Sequence, residues 1–333
     1  MNVMTFSVVA FYSFWLVSGW LEPPRRDPAG IAEKERVVEM LKQKEETARR
    51  RLNENPDLLT ALSLAFLAVL FWGVALDVAV LVRRWRGHAR LPAGPLPPAG
   101  WNGRDVFYAL MFLLFIEACL FFAQDAVLLL LGFDGKPPDT LLLLNSLVRD
   151  LCVAAFVWRL VKGRYGQGLR DLGLRFEKAF SHVRTGVLGY VAVVPPLLVV
   201  FLAVSAVLRF FSWEPAPQEV VQMYLKRSAE PYLVPLTVFV ALIGPAMEEL
   251  FFRGFAYAGL RKRFGALGGA CISSAAFAAL HMHWAAFAPI FLLGLLLAYL
   301  YECSGSLVPS ITAHMLHNLI MVALMLGFKG LSA

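Results

Sequence analysis

Long apolar segments recur along the whole chain, and they constrain its fold more than any other feature. Hydrophobic residues make up 59% of the 333 residues and charged residues only 17%. A helix of about 20 apolar residues can cross a bilayer, and a backbone in lipid must satisfy its own hydrogen bonds. The sequence therefore predicts an all-α, polytopic transmembrane helical bundle with about eight to nine spans. The candidate spans are residues 3–20, 58–82, 105–132, 140–161, 185–211, 232–258, 266–284, 285–302 and 309–327.

Composition divides the chain into two portions. Residues 1–104 hold two spans, a charged insert at 22–57 and a proline-rich linker at 91–100, and residues 105–333 form the main membrane bundle. Glu and Lys alternate at helical spacing in the insert, which predicts a helix on the membrane surface or in solvent. No basic residue precedes the apolar run at 3–20, so we expect a retained anchor rather than a signal peptide.

Charge and cysteine usage exclude several classes of function. The formal net charge of +7 lies mostly in loops, which is typical of a membrane surface and does not indicate nucleic acid binding. The four cysteines show no CxxC spacing, so neither a zinc knuckle nor a redox pair is expected. A zinc-binding His-Glu-x-x-His helix is also missing from the sequence. We expect no cofactor.

Two adjacent carboxylates and an arginine lie inside the apolar run at residues 244–257. A charge at that depth costs roughly 3 kcal/mol or more, so it needs a partner or a function. On an α-helix, Glu249 and Arg253 share a face, whereas Glu248 is rotated by about 100°. We therefore expect Arg253 to neutralise Glu249 and Glu248 to remain available for proton transfer.

Further polar groups follow in the next apolar segments. His281 comes four residues after Phe277, and His314 and Asn318 are four residues apart and share a helix face. With Glu248, these groups predict a buried polar site shared by several helices. In this interpretation, Glu248 deprotonates a water that it holds jointly with His281, and the hydroxide attacks a peptide carbonyl. His314 and Asn318 donate hydrogen bonds to the oxyanion. A purely structural hydrogen-bond network is the alternative.

Other charged residues lie inside predicted spans, and interhelical ion pairs are the expected explanation for them. Arg149 is expected to pair with Asp125 or Glu117, and nothing in the sequence connects these groups to the histidines. A solute transporter that uses such charges is a third hypothesis, although the chain lacks the inverted repeat common in those folds. The charged residues concerned are Asp77, Glu117, Asp125, Arg149 and Asp150.

Three spaced motifs resemble the signatures of the CAAX prenyl protease and bacteriocin-processing family, also described as Abi-type. The resemblance covers about residues 165–327, with a core at about 232–327. The motifs are Glu248-Glu249-x-x-x-Arg253, Phe277-x-x-x-His281 and His314-x-x-x-Asn318.

This resemblance implies an intramembrane endopeptidase of the glutamate type. Position by position, Glu248 and His281 would activate water, His314 and Asn318 would form the oxyanion site, and the remaining residues of the first motif would support them. Two histidines and a carboxylate could also hold zinc, but the expected site is free of metal.

The resemblance also implies the partners of the protein. They are membrane lipid and a peptide or lipidated protein substrate, cleaved after a prenylated cysteine in some relatives. The Ala-, Arg- and Leu-rich sequence looks bacterial, so the expected location is a bacterial inner membrane, where prenylated CAAX proteins are generally lacking. Some bacterial relatives are linked to bacteriocin immunity, so a non-catalytic membrane scaffold or immunity protein is the alternative function.

Overall fold

Every regular element in the part of the chain that the structure describes is helical, and no strand occurs there. The all-α prediction is therefore confirmed for those residues. The computed structural model describes residues 28–86, 96–133, 137–213, 215, 218–225 and 232–332. Its helices are α1 Pro28–Asn53, α2 Pro56–Trp85, α3 Gly103–Leu130, α4 Asp139–Tyr165, α5 Ala179–Phe210, α6 Glu219–Leu225, α7 Leu233–Val238, π1 Phe239–Ile243, α8 Gly244–Glu249, π2 Leu250–Tyr257, α9 Ala258–Leu280, α10 Trp284–Ser304 and α11 Val308–Leu331.

Seven helical segments among the described residues are long and apolar enough to cross a bilayer. This count does not contradict the predicted eight to nine spans, for two reasons. The first predicted span, residues 3–20, lies outside the described residues, and the spans predicted at 232–258 and 266–284 fall within one segment of 48 residues, Leu233–Leu280. Large apolar side chains such as Phe71 and Leu130 are exposed on the outer surface, where lipid would cover them. The protein is a multi-pass integral membrane protein.

The segment Leu233–Leu280 folds back on itself at Gly265. In a continuous α-helix, Phe252 and Ser273 would lie about 31 Å apart along the axis, yet the Ser273 Oγ donates to the Phe252 carbonyl at 2.9 Å. Gly265 has φ 70° and ψ 179°, a backbone conformation outside the helical region that glycine adopts without steric cost. The break falls between the two predicted spans, which form an antiparallel pair.

The N-terminal helices pack against the main bundle. Residues 28–53 of the charged insert form the helix α1, as predicted, and Arg51 donates to the Gly330 carbonyl near the end of α11 at 3.4 Å. Helix α2 approaches α5 closely, because a Cβ on Gly73 would come within 2.6 Å of the Val191 carbonyl oxygen. The described part of the predicted linker, residues 96–100, has no regular structure. The division at residue 104 stays a prediction.

A buried aromatic cluster anchors the folded-back helix pair to α3 and α4. The Trp101 indole donates to the Phe255 carbonyl at 2.8 Å, and the two rings stack with centroids 5.6 Å apart. Phe277 and Val157 belong to the same cluster and are almost fully buried. This packing holds the segment that carries the two glutamates against α4.

Candidate active site

The two glutamates lie at the end of α8, a short α-helical segment between the π-helical segments π1 and π2. A π-helix bonds each N–H to the carbonyl five residues back, and such segments are frequent at functional sites. The backbone around Glu248 and Glu249 is therefore irregular, and side chains from other helices take part in its hydrogen bonding.

Asn318 replaces a backbone donor that the sequence removes. The Gly244 N–H donates to the Phe239 carbonyl, five residues back. The next bond in this register would run from residue 245 to Val240, but Pro245 has no N–H. The Asn318 Nδ2 donates to the Val240 carbonyl instead, at 2.8 Å. The amide predicted for the oxyanion site thus connects α11 to the glutamate-bearing segment.

Glu249 and Arg253 form a closed ion pair in the protein interior. Both side chains are 0% exposed, and the Arg253 Nη1 donates to the Glu249 Oε1 at 2.8 Å. The predicted contact between them is therefore confirmed. The His314 Nδ1 lies 2.9 Å from the same oxygen. A carboxylate paired with arginine accepts hydrogen bonds only, so the Nδ1 of His314 carries the hydrogen.

The guanidinium of Arg253 is held from two further sides. Its Nη2 donates to the Gly294 carbonyl at 3.2 Å, and its plane lies 4.5 Å from the ring centroid of Phe277. A Cβ on Gly294 would lie 2.9 Å from the Ser274 Cβ and 3.3 Å from the Arg253 Nη2. Only glycine at position 294 lets α10 come this close, and the Gly294 carbonyl thereby reaches the buried cation.

His314 also connects the closed pair to Glu248. Its Nε2 lies 3.7 Å from the Glu248 Oε2, within ion-pair range but beyond a short hydrogen bond. The side chain of Glu248 is 29% exposed, whereas that of the adjacent Glu249 is fully buried. The sequence predicted that the two neighbouring carboxylates point in different directions and that Glu248 stays available for proton transfer. Glu248 is the one that solvent or a ligand can reach.

Glu248 and His281 line one cavity of about 360 Å³, within the size range of ligand pockets. The His281 Nδ1 lies 2.8 Å from the Phe277 carbonyl, which can only accept, so Nδ1 carries a hydrogen there. In a neutral ring, Nε2 is then the nitrogen with a lone pair. Met282 also lines the cavity and has a positive φ of 50°, which turns the chain from α9 into α10.

The structure connects Glu248, His281 and His314 and places Asn318 against the Val240 carbonyl. Glu248 and His281 share the cavity, and His314 joins them through its contact with Glu248. Asn318 bonds to Val240 and is not among the described residues that line the cavity. No group of three or more His, Cys, Asp or Glu side chains suited to a metal ion occurs among the described residues.

Three charged residues of the cavity were not connected to the site by sequence reasoning. Glu117, Arg149 and Asp150 line the same cavity as Glu248 and His281. The Arg149 Nε donates to the Asp150 Oδ1 at 2.9 Å, and its Nη1 lies 3.4 Å from the Glu117 Oε2. Arg149 thus pairs with Glu117, one of its two predicted partners. The signal in the sequence was the presence of charge inside a span, which marks a functional site by default.

Comparison with known proteins matches one part of the chain to a family. The protein is a multi-pass membrane protein in which Glu249 and His314 form a buried pair. Residues 230–320 match the family described as Rce1-like, type II CAAX prenyl endopeptidase, and they form a domain of that family. This range holds all seven named residues of the three motifs and about a quarter of the chain. No curated protein and no solved structure gives a match.

Proposed function

We propose that the protein is an intramembrane endopeptidase that hydrolyses a peptide bond in a membrane-associated or lipidated, CAAX-like peptide. Membership of an endopeptidase family implies a peptidase and a peptide substrate. The observation that carries the proposal is that Glu248 and His281 line one cavity and that His314 contacts Glu248. A water placed between a carboxylate and an imidazole is the arrangement that hydrolysis requires.

The proposed reaction begins with that water. Glu248 accepts one of its protons, the His281 Nε2 orients it, and its oxygen attacks the carbonyl carbon of the scissile bond. The resulting tetrahedral intermediate collapses when the C–N bond breaks and Glu248 returns the proton to the leaving nitrogen. The products are a peptide with a new carboxylate and a peptide with a new amine.

We assign His314 as a donor to the oxyanion of the intermediate. Its Nδ1–H is engaged by Glu249 at 2.9 Å, so an imidazolium form would present the Nε2–H to the oxyanion. Glu249 and Arg253 are then positioning residues that hold the ring of His314 in place. Asn318 keeps one amide hydrogen beyond the one it gives to Val240, and we assign that hydrogen to the same oxyanion.

A cleavage assay on the full chain in proteoliposomes tests this proposal. The substrates are a peptide with a farnesylated cysteine four residues from its C-terminus and the same peptide without the lipid. We expect Glu248→Gln and His281→Ala to lower kcat/KM by at least about 100-fold each, because each removes a proton-transfer or water-orienting group.

Two variants elsewhere on the chain serve as matched controls. Glu177→Gln changes an exposed carboxylate that pairs with Arg170, and His182→Ala removes a half-buried histidine near the start of α5. Both are expected to keep the wild-type rate. Cleavage that survives Glu248→Gln and His281→Ala at the wild-type rate would rule out the proposed mechanism.

A non-catalytic membrane scaffold or immunity protein is the second candidate function. The hydrogen bond from Asn318 to Val240 favours it, because that contact gives a motif residue a structural task without a substrate. This candidate predicts that Glu248→Gln preserves the cellular phenotype and that no peptide is cleaved. Location in a bacterial inner membrane is part of the proposal under either function.

A further inference from the structure

One cation lines the same cavity as Glu248 and His281. Among the described residues around the cavity, Arg149 is the only arginine or lysine. It lies on α4, outside the matched range 230–320. Arg149 is also within electrostatic range of Glu248. Arg149 therefore lines the candidate site without being one of the family motif residues.

The contacts of Arg149 leave one edge of its guanidinium open to a ligand. Asp150 holds the Nε at 2.9 Å, and its side chain is only 12% exposed, so this contact fixes the plane of the group. Glu117 lies 3.4 Å from the Nη1 and is 50% exposed. The Nη2 makes no hydrogen bond to any residue that the structure describes. An incoming anion can thus displace Glu117 and take both Nη groups.

We propose that Arg149 binds the C-terminal carboxylate of the peptide substrate and so determines which end of a peptide is cut. This inference rests on the proposed endopeptidase function. A substrate cleaved near its C-terminus brings a free carboxylate into a cavity lined largely by apolar side chains. Such a group is costly to bury unless it is paired, and the planar fork of arginine matches a carboxylate in a bidentate contact.

The other charges of the cavity make this placement specific. Glu117, Asp150 and Glu248 also line it, so an anion is repelled everywhere except at the open edge of Arg149. With its terminus at Arg149, a peptide extends along the cavity and presents an internal carbonyl to Glu248 and His281. A peptide whose terminus is blocked loses this anchor, because a neutral carboxamide forms no ion pair with Arg149.

Binding of two matched peptides tests the proposal without requiring turnover. The peptides are fluorescently labelled and farnesylated, and they differ only in a C-terminal carboxylate or carboxamide. Binding is measured to the full chain carrying Glu248→Gln, in lipid nanodiscs. We expect the carboxylate peptide to bind about 10- to 100-fold more tightly, the range of a charged hydrogen-bonded contact.

Variants at the cation then separate a specific contact from the net charge of the cavity. Arg149→Gln combined with Asp150→Asn removes one positive and one negative charge, so the net charge is unchanged. We expect this double variant to bind both peptides equally, at the level of the amide peptide. Arg149→Lys is expected to keep part of the preference. Arg159→Gln, which alters an exposed arginine on the same helix, is expected to keep all of it.

Each outcome of the binding and cleavage experiments supports or contradicts the proposed role of Arg149. A carboxylate preference that survives the double variant, a tighter binding of the amide peptide, or binding of neither peptide would overturn the role of Arg149. If the preference is found but no peptide is ever cleaved, the proposed hydrolysis fails and the role of Arg149 stands. If cleavage depends on Glu248 and the preference is missing, only the inference about Arg149 fails.

Discussion

Two arginine–glutamate pairs lie in helical segments that are long and apolar enough to cross a bilayer, and the pairs differ in distance and in exposure. The pair of Arg253 and Glu249 has an N–O distance of 2.8 Å and no exposed side-chain surface. The pair of Arg149 and Glu117 has a distance of 3.4 Å, with 28% and 50% of the two side chains exposed. The first pair is enclosed by packed helices, and the second borders a cavity.

The difference in exposure separates the supporting role of Arg253 from the ligand-binding role proposed for Arg149. The buried Arg253 also bonds to the Gly294 carbonyl and lies over the Phe277 ring, so no ligand can reach it. Removing one partner there leaves an unpaired charge in the interior, which is strongly destabilising. In the open pair, either partner can turn towards the cavity, and its loss is expected to change binding more than folding.

The largest effect on stability is expected from Arg253→Met. The substitution leaves the Glu249 carboxylate buried with His314 as its remaining partner, and we expect the free energy of unfolding to fall by about 3–5 kcal/mol. Equilibrium unfolding in detergent micelles measures it. Arg170→Met, at the exposed pair with Glu177, is the matched control and is expected to change stability by about 1 kcal/mol or less.

A second variant distinguishes loss of charge pairing from loss of packing. Glu249→Leu combined with Arg253→Met removes both charges, and we expect it to be more stable than Arg253→Met alone, because no unpaired charge remains. If the double variant is less stable than the single one, the destabilisation comes from packing, and the contrast between the two pairs is lost.

A small effect on stability is expected from Glu117→Gln. This side chain is half exposed and its contact with Arg149 is long, so the loss in the free energy of unfolding should be about 1 kcal/mol or less. The same unfolding measurement checks it. A loss comparable to that of Arg253→Met would show that the pair of Arg149 and Glu117 is structural after all.

Local spacing in the sequence predicted the parts of the site that lie on one helix turn. The contact between Glu249 and Arg253 was predicted from their separation of four residues, and it forms although π2 begins at Leu250. The different directions of Glu248 and Glu249 followed from the same helix geometry. Both properties depend on a few neighbouring residues and not on the packing of the bundle.

Properties that depend on the local backbone conformation or on helix packing could not be predicted from the sequence. Asn318 bonds to Val240 because π1 ends next to Pro245, and the position of a π-helix could not be predicted from hydrophobic periodicity. The cavity lining by Glu117 and Arg149 depends on how α3 and α4 pack against π2. No pattern within either helix specifies that packing.

A double-mutant cycle between Glu248 and His281 tests most directly whether these two groups act on the same water. The quantity measured is kcat/KM for the farnesylated peptide with the wild type, Glu248→Gln, His281→Ala and the combined variant. If both groups serve one water, the combined variant should lose no more than about threefold beyond the more damaging single change. Losses that multiply, with each single variant impaired independently, would contradict a shared reactive water.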